Sequence, residues 1–130
     1  MDEFEVSVVS TDADWWRYNV AVTCGCFSKE GARVGFTAHE SKVADIGAEV
    51  TPAEKKAKRN LTFRTGACDR IVMYLYIIPH TLPETMTVED NPFEVEVHVL
   101  RGGKALPTAR RTINRWSGAS LELKFGAEEV

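Results

Sequence analysis

The run Asp69-Arg70-Ile71-Val72-Met73-Tyr74-Leu75-Tyr76-Ile77-Ile78-Pro79 decides the fold class. From Ile71 to Ile78 every position is apolar or aromatic, so both faces of an extended segment call for cover. The run is rich in β-branched and aromatic residues and stops at a proline, which suits a central strand better than a helix. A strand of this kind lies in mid-sheet. One face meets the core, and the other is expected to lie under a crossover segment or long loops.

The segments around it are shorter and alternate. Upstream, Leu61, Phe63 and Thr65 alternate with Thr62 and Arg64 and end at Gly66. At the N-terminus, Phe4, Val6 and Val8 alternate with Glu5 and Ser7, a strand with one buried face. After the turn Thr11-Asp12-Ala13-Asp14, the alternation from Trp15 to Phe27 puts Trp16, Tyr18, Val20, Val22, Cys24 and Cys26 on the core side. Trp15 then joins Arg17, Asn19, Ala21 and Thr23 on the outer side, an outward tryptophan stacked on Arg17 or packed under a loop. Ser28-Lys29-Glu30-Gly31 makes a hairpin loop with glycine at positive φ. The return strand is expected to turn Val34, Phe36 and Ala38 inward and Arg33, Thr37 and His39 outward.

Thr51-Pro52-Ala53-Glu54 has the form of a helix start, with threonine as N-cap and proline at the first helical position. The helix it opens, near residues 52–59, has almost no apolar face and reads as a surface crossover. Downstream, Phe93, Val95, Val97 and Val99 alternate with Glu94, Glu96 and His98, and Gly102-Gly103 forms a two-residue hairpin that pairs 101 with 104. Continued without interruption, that register sets Glu94 opposite Arg111. A bulge at Pro107 breaks it, and Pro107, Arg110 and Arg111 mark an edge strand. The last strand buries Leu121, Leu123 and Phe125.

The sum is about eight strands and one short surface helix: an all-β fold, a two-sheet antiparallel β-sandwich with Greek-key, jelly-roll or C2-like connections. A closed barrel has the same periodicity and is the alternative. The chain of 130 residues is long enough for one domain, 1–130, with a sizeable core.

Composition narrows the function. At 44% hydrophobic and 27% charged, the chain is of ordinary globular make-up, and a net charge of −3 offers no basic surface for nucleic acid. No run approaches the ~18 apolar residues of a membrane helix. The acidic start Met1-Asp2-Glu3-Phe4-Glu5 is unlike a signal peptide, so with Met1 as the natural start the expected location is cytoplasmic. Cys24, Cys26 and Cys68 are odd in number, which argues for reduced, buried thiols.

No catalytic constellation is present. The three cysteines and His39, His80 and His98 are scattered without a nucleophile–base or zinc spacing. The candidates that remain are of three kinds. Trp15, Arg17 and Trp116, with one side of Tyr74 or Tyr76, could anchor a protein partner or a second copy. Asp12, Asp14, Glu89 and Asp90 are acidic loop residues of the kind that gather around calcium at one end of a sandwich. Lys55, Lys56, Lys58 and Arg59 could touch anionic lipid.

Residues 61–78, an alternating strand, a short turn and then Asp69-Arg70-Ile71-Val72, resemble the middle of the TerD-type tellurite-resistance calcium-binding sandwiches. The paired-aspartate calcium motif of that family is not found here, so the resemblance carries over no binding residue. The leading expectation is therefore a non-catalytic interaction or assembly module with no cofactor. The alternatives are a calcium- or lipid-binding sandwich, and then a cysteine-dependent enzyme.

Overall fold

The structure is a computed structural model that describes residues 1–52, 60–82 and 92–126. The expected helix near 52–59 lies outside the described residues apart from Pro52, as do the basic cluster Lys55–Arg59 and the loop acids Glu89 and Asp90.

Nine strands form: β1 (Phe4–Val9), β2 (Tyr18–Phe27), β3 (Arg33–Ser41), β4 (Leu61–Arg64), β5 (Arg70–Pro79), β6 (Phe93–Arg101), β7 (Lys104–Ala105), β8 (Ala109–Ile113) and β9 (Ala119–Phe125). They make two antiparallel sheets. One runs β4-β1-β6, with β7 and β8 both on the free side of β6; the other runs β3-β2-β5-β9. The sheets are separate hydrogen-bonded units, so the sandwich holds and the closed barrel does not.

The run Ile71–Ile78 is indeed central. β5 pairs with β2 over ten residue pairs, from Tyr18 opposite Pro79 to Phe27 opposite Arg70, and with β9 on its other side. Directly opposite residues share a face, so Ile71, Met73, Leu75 and Ile77 point inward with Tyr18, Val20, Val22, Cys24 and Cys26. They meet Phe4, Val6, Val8, Val95, Val97 and Val99 from the facing sheet in one continuous core.

Turn chemistry behaves as the sequence predicts. Gly31, Gly102 and Gly103 all have positive φ, and Arg101 lies opposite Lys104. Past Pro107 the register advances by one residue, setting Glu94 opposite Thr112 and Arg111 opposite Val95. This interruption splits the returning arm into β7 and β8, which accounts for the extra strand.

Two expectations fail, each for a backbone reason. Trp15 to Arg17 form a 3-10 turn, so the period of two does not extend upstream of Tyr18. At three residues per turn Trp15 falls on the side of Tyr18, their rings 6.3 Å apart, and Trp15 is 6% exposed within the core. Trp16 takes the half-buried place instead, with the Arg17 guanidinium over its ring at 4.5 Å.

The second failure is β3, which is reversed. Its register with β2 sets Gly35, Thr37 and His39 opposite the inward Cys26, Cys24 and Val22, and turns Val34, Phe36 and Ala38 outward. His39 stacks on Phe63 of β4 at 4.7 Å, where the two sheet edges adjoin.

Gly118 provides a test of how tightly β9 is docked. It has φ of +69°, and a Cβ there would collide with the Ile77 carbonyl. Gly118→Ala should cost at least about 3 kcal/mol in urea unfolding. Gly103→Ala, equally left-handed at φ +85° but with open space around it, should cost only about 1 kcal/mol.

Candidate functional site

Two places in the described structure gather chemistry-bearing residues. The first is the corner where the β1–β2 connection meets the β8–β9 turn. Asp12 starts it as a turn residue: its Oδ2 accepts from the Asp14 amide at 2.9 Å and its carbonyl from the Trp15 amide at 3.2 Å. The Arg115 guanidinium, on a residue only 8% exposed, donates to both Asp12 oxygens at 3.0 and 2.8 Å. That bidentate contact is the strong form of an ion pair.

Asp14 lies 3.7 Å from Arg115 and 3.6 Å from Arg17. Arg115 also sits over the Phe93 ring at 5.2 Å, and its carbonyl accepts from the Tyr18 hydroxyl at 2.7 Å. Burial pushes that phenol up to about 12, so it remains a donor at any physiological pH. The hydrogen bond from Arg115 holds the Asp12 carboxyl below its ordinary value, against the opposing effect of burial.

This arrangement changes the reading of the acidic candidates. A calcium ion at Asp12 would have to compete with Arg115 for both carboxylate oxygens. Among the described residues no group of three or more His, Cys, Asp or Glu side chains is placed to hold a metal. The partner-binding candidates are scattered by depth: Trp15 is core, Arg17 donates to the Leu82 carbonyl at 2.8 Å, and Trp116 is half-buried over a turn capped by the Asn114 side chain. His80, nearly fully buried, fastens the same corner by donating from Nε2 to the Trp16 carbonyl at 2.6 Å.

The thiols are all free and buried. Burial raises Cys24 to about 12 and Cys68 to about 11, so both are protonated at neutral pH and unsuited to nucleophilic attack.

The second place is the outer face of the β3-β2-β5-β9 sheet. Its rows follow from the register: Phe36, Gly25, Val72 and Lys124; then Ala38, Thr23, Tyr74 and Glu122; then Glu40, Ala21, Tyr76 and Ser120. Val34 is 49% and Phe36 60% exposed, with Tyr74, Tyr76 and Ile78 also open to solvent. Among the described residues the Tyr74 hydroxyl donates to Glu122 across this face at 3.0 Å, and at one end the Asn19 side chain donates to the Ala44 carbonyl at 2.8 Å and accepts from the Val43 amide at 2.7 Å. Charges sit at its margins, on Glu40, Lys42, Glu122 and Lys124, and its middle is apolar or small.

Uniform apolarity from Ile71 to Ile78 carried the signal for this face. The expected cover of this face by a crossover segment or long loops is not found among the described residues, since Tyr74, Tyr76 and Ile78 stay exposed, and β3's share of the face is not legible in the sequence.

No protein-family profile matches the chain, and no curated protein matches it. Two solved structures are similar in fold. One is a DUF4425 family protein from Bacteroides ovatus, 10% identical, with 95% of this chain and 92% of that one covered and a TM-score of 0.45. The other is the calcium-bound form of a protein from Parabacteroides distasonis, 13% identical over the same shares, with a TM-score of 0.51. At these identities the likeness concerns the fold alone.

The Asp12–Arg115 pair yields a test with a definite sign. Asp12→Asn removes the bidentate counter-charge of Arg115 while Asp14 stays 3.7 Å away, and should cost about 2 kcal/mol at pH 7, below the value for a fully buried pair because Asp12 keeps some solvent contact. Because the folded-state carboxyl is depressed below 3.8, its contribution is present above that value and is lost as pH falls through the folded one. The difference between wild type and Asp12→Asn in urea unfolding should therefore shrink steadily below pH 3.8.

Proposed function

We propose that the protein is a non-catalytic assembly module that self-associates through the outer face of the β3-β2-β5-β9 sheet. The observation that carries this reading is the exposure of Val34, Phe36, Tyr74, Tyr76 and Ile78 on one sheet face. Contiguous exposed apolar surface on a folded domain marks an interaction site. A second copy suits it better than a strongly charged partner. The chain's net charge is only −3, and the margins carry both signs, Glu40 on β3 with Lys42 just past its end, and Glu122 and Lys124 on β9. Tyrosine and phenylalanine are apt interface anchors because they bury large area with few rotatable bonds.

Sedimentation velocity over a range of concentrations tests the reading. Wild type should dimerise, and Phe36→Lys should weaken the dimer by about thirtyfold, the effect of removing an anchor worth ~2 kcal/mol. The melting temperature of dilute protein should hardly move, because the Phe36 side chain lies outside the core. A wild type that stays monomeric at every concentration would remove self-association.

Calcium binding is the second reading. It is favoured by the calcium-bound state of the Parabacteroides distasonis protein of similar fold and by the acidic residues Asp12 and Asp14, with Glu89 and Asp90 outside the described residues. A ligand that binds only the native state raises its melting temperature. A rise of several degrees in millimolar calcium, reversed by chelator, would add an ion to this module. Superimposable curves would leave calcium with no support.

A further inference from the structure

We infer that the cavity at the β2–β3 hairpin end of the outer sheet face is a binding site for a small carboxylate with an apolar body. The inference goes beyond self-association and does not depend on it, since it concerns one end of the face and a ligand rather than a second copy.

Register builds this place from two neighbouring rows. Phe27 of β2 lies opposite Arg70 of β5, and in the next outward row Gly25, Val72 and Lys124 lie side by side across β2, β5 and β9. A Cβ on Gly25 would come within 3.0 Å of the Phe27 ring, so the ring is folded back along the sheet over the glycine. Phe27 and Val72 are half-buried and give the cavity an apolar floor. Its volume is about 230 Å³, and it reaches Arg70, Lys124 and Gly31 of the hairpin.

The charge around this floor has one sign. Arg70 is half-buried and its guanidinium lies against the hairpin, where a Cβ added to Gly31 would stand 3.4 Å from Nη2. Lys124 is the second cation of the lining, and Arg33, opposite Phe27 on β3, is a third nearby. None of the three has an ion pair among the described residues. The neighbouring acids do not line the cavity: Glu122 accepts from the Tyr74 hydroxyl, Asp69 accepts from the Lys29 amide at 2.9 Å, and Glu30 is exposed in the hairpin. Two other surface cavities carry both signs already paired, Glu5 with Arg64 in one and Lys42 with Asp45 in the other.

These features select the occupant. A half-buried cation without a counter-charge has lost hydration that only an anion restores, and a carboxylate does so through charge-assisted hydrogen bonds from arginine. An apolar body on the same molecule would cover Phe27 and Val72. Cavities that enclose drug-sized molecules run from about 300 to 1,000 Å³. At its smaller volume this one suits a short aliphatic or single-ring carboxylate.

Hexanoate is the probe that tests the site, with hexanol as its neutral counterpart and acetate as its headgroup alone. Each is titrated into dilute, monomeric ¹⁵N-labelled protein and followed by amide chemical shifts. Hexanoate should move the Gly31, Val72 and Lys124 amides and saturate at ~1–10 mM, while hexanol and acetate should bind at least about fivefold more weakly. Arg70→Gln and Lys124→Gln should each weaken hexanoate by about fivefold, and Lys104→Gln on the other sheet should leave it unchanged. The three substituted side chains lie outside the core, and an unchanged melting temperature checks that each variant is folded. Hexanol binding as tightly as hexanoate would overturn the inference, because charge would then select nothing. Shifts that never saturate, or a hexanoate affinity indifferent to both cavity substitutions, would overturn it as well.

Discussion

The pairing of β2 with β5 is the constraint on which the rest of this structure depends. Ten consecutive residue pairs lock two strands into one register, and the period of two then decides which side chain of each lies inside. A slip of one residue would turn Ile71, Met73, Leu75 and Ile77 outward while Val20 and Val22 of β2 stayed inward. The two outer strands inherit that decision. Leu123 and Phe125 of β9 point inward because they lie opposite Met73 and Ile71, and Phe36 of β3 points outward because it lies opposite Gly25.

Where the ladder ends, a polar corner takes over. The chain enters β2 through a 3-10 turn that swings Trp15 under the sandwich, against Tyr18 and the edge of Phe93. The Asp12–Arg115 pair then ties the β1–β2 connection to the β8–β9 turn across the same end. Arg115 is held by a carboxylate, an aromatic face and a backbone carbonyl bond at once. Asp12 and Asp14, two of the acidic residues that suggest an ion site in the sequence, are thus engaged by Arg115 and Arg17 at this corner.

The same ladder leaves the outer face of its sheet apolar. A sheet in a two-layer sandwich has one face toward the core, and the other is normally polar where water meets it. Here β5 is apolar on both sides and β3 presents Val34 and Phe36 to solvent, which is what an interaction surface requires. The self-association proposed above would give those residues a physical purpose that folding of one chain does not.

Local residue pattern by itself determined much of this. Uninterrupted apolarity marked β5 as central, alternation marked β1, β6 and β9 with their buried faces, and Gly31 and Gly102-Gly103 marked the hairpins. Pro107 announced the break in the returning arm. These features depend on near neighbours along the chain, and near neighbours are legible in sequence. Tertiary structure alone decided the facing of β3, the burial of Trp15 and the meeting of Asp12 with Arg115. The first depends on register across a hairpin, where one residue inverts every side chain. The second depends on where a turn of period three gives way to a strand of period two. The third joins residues 103 positions apart, and only the closed sandwich brings them together.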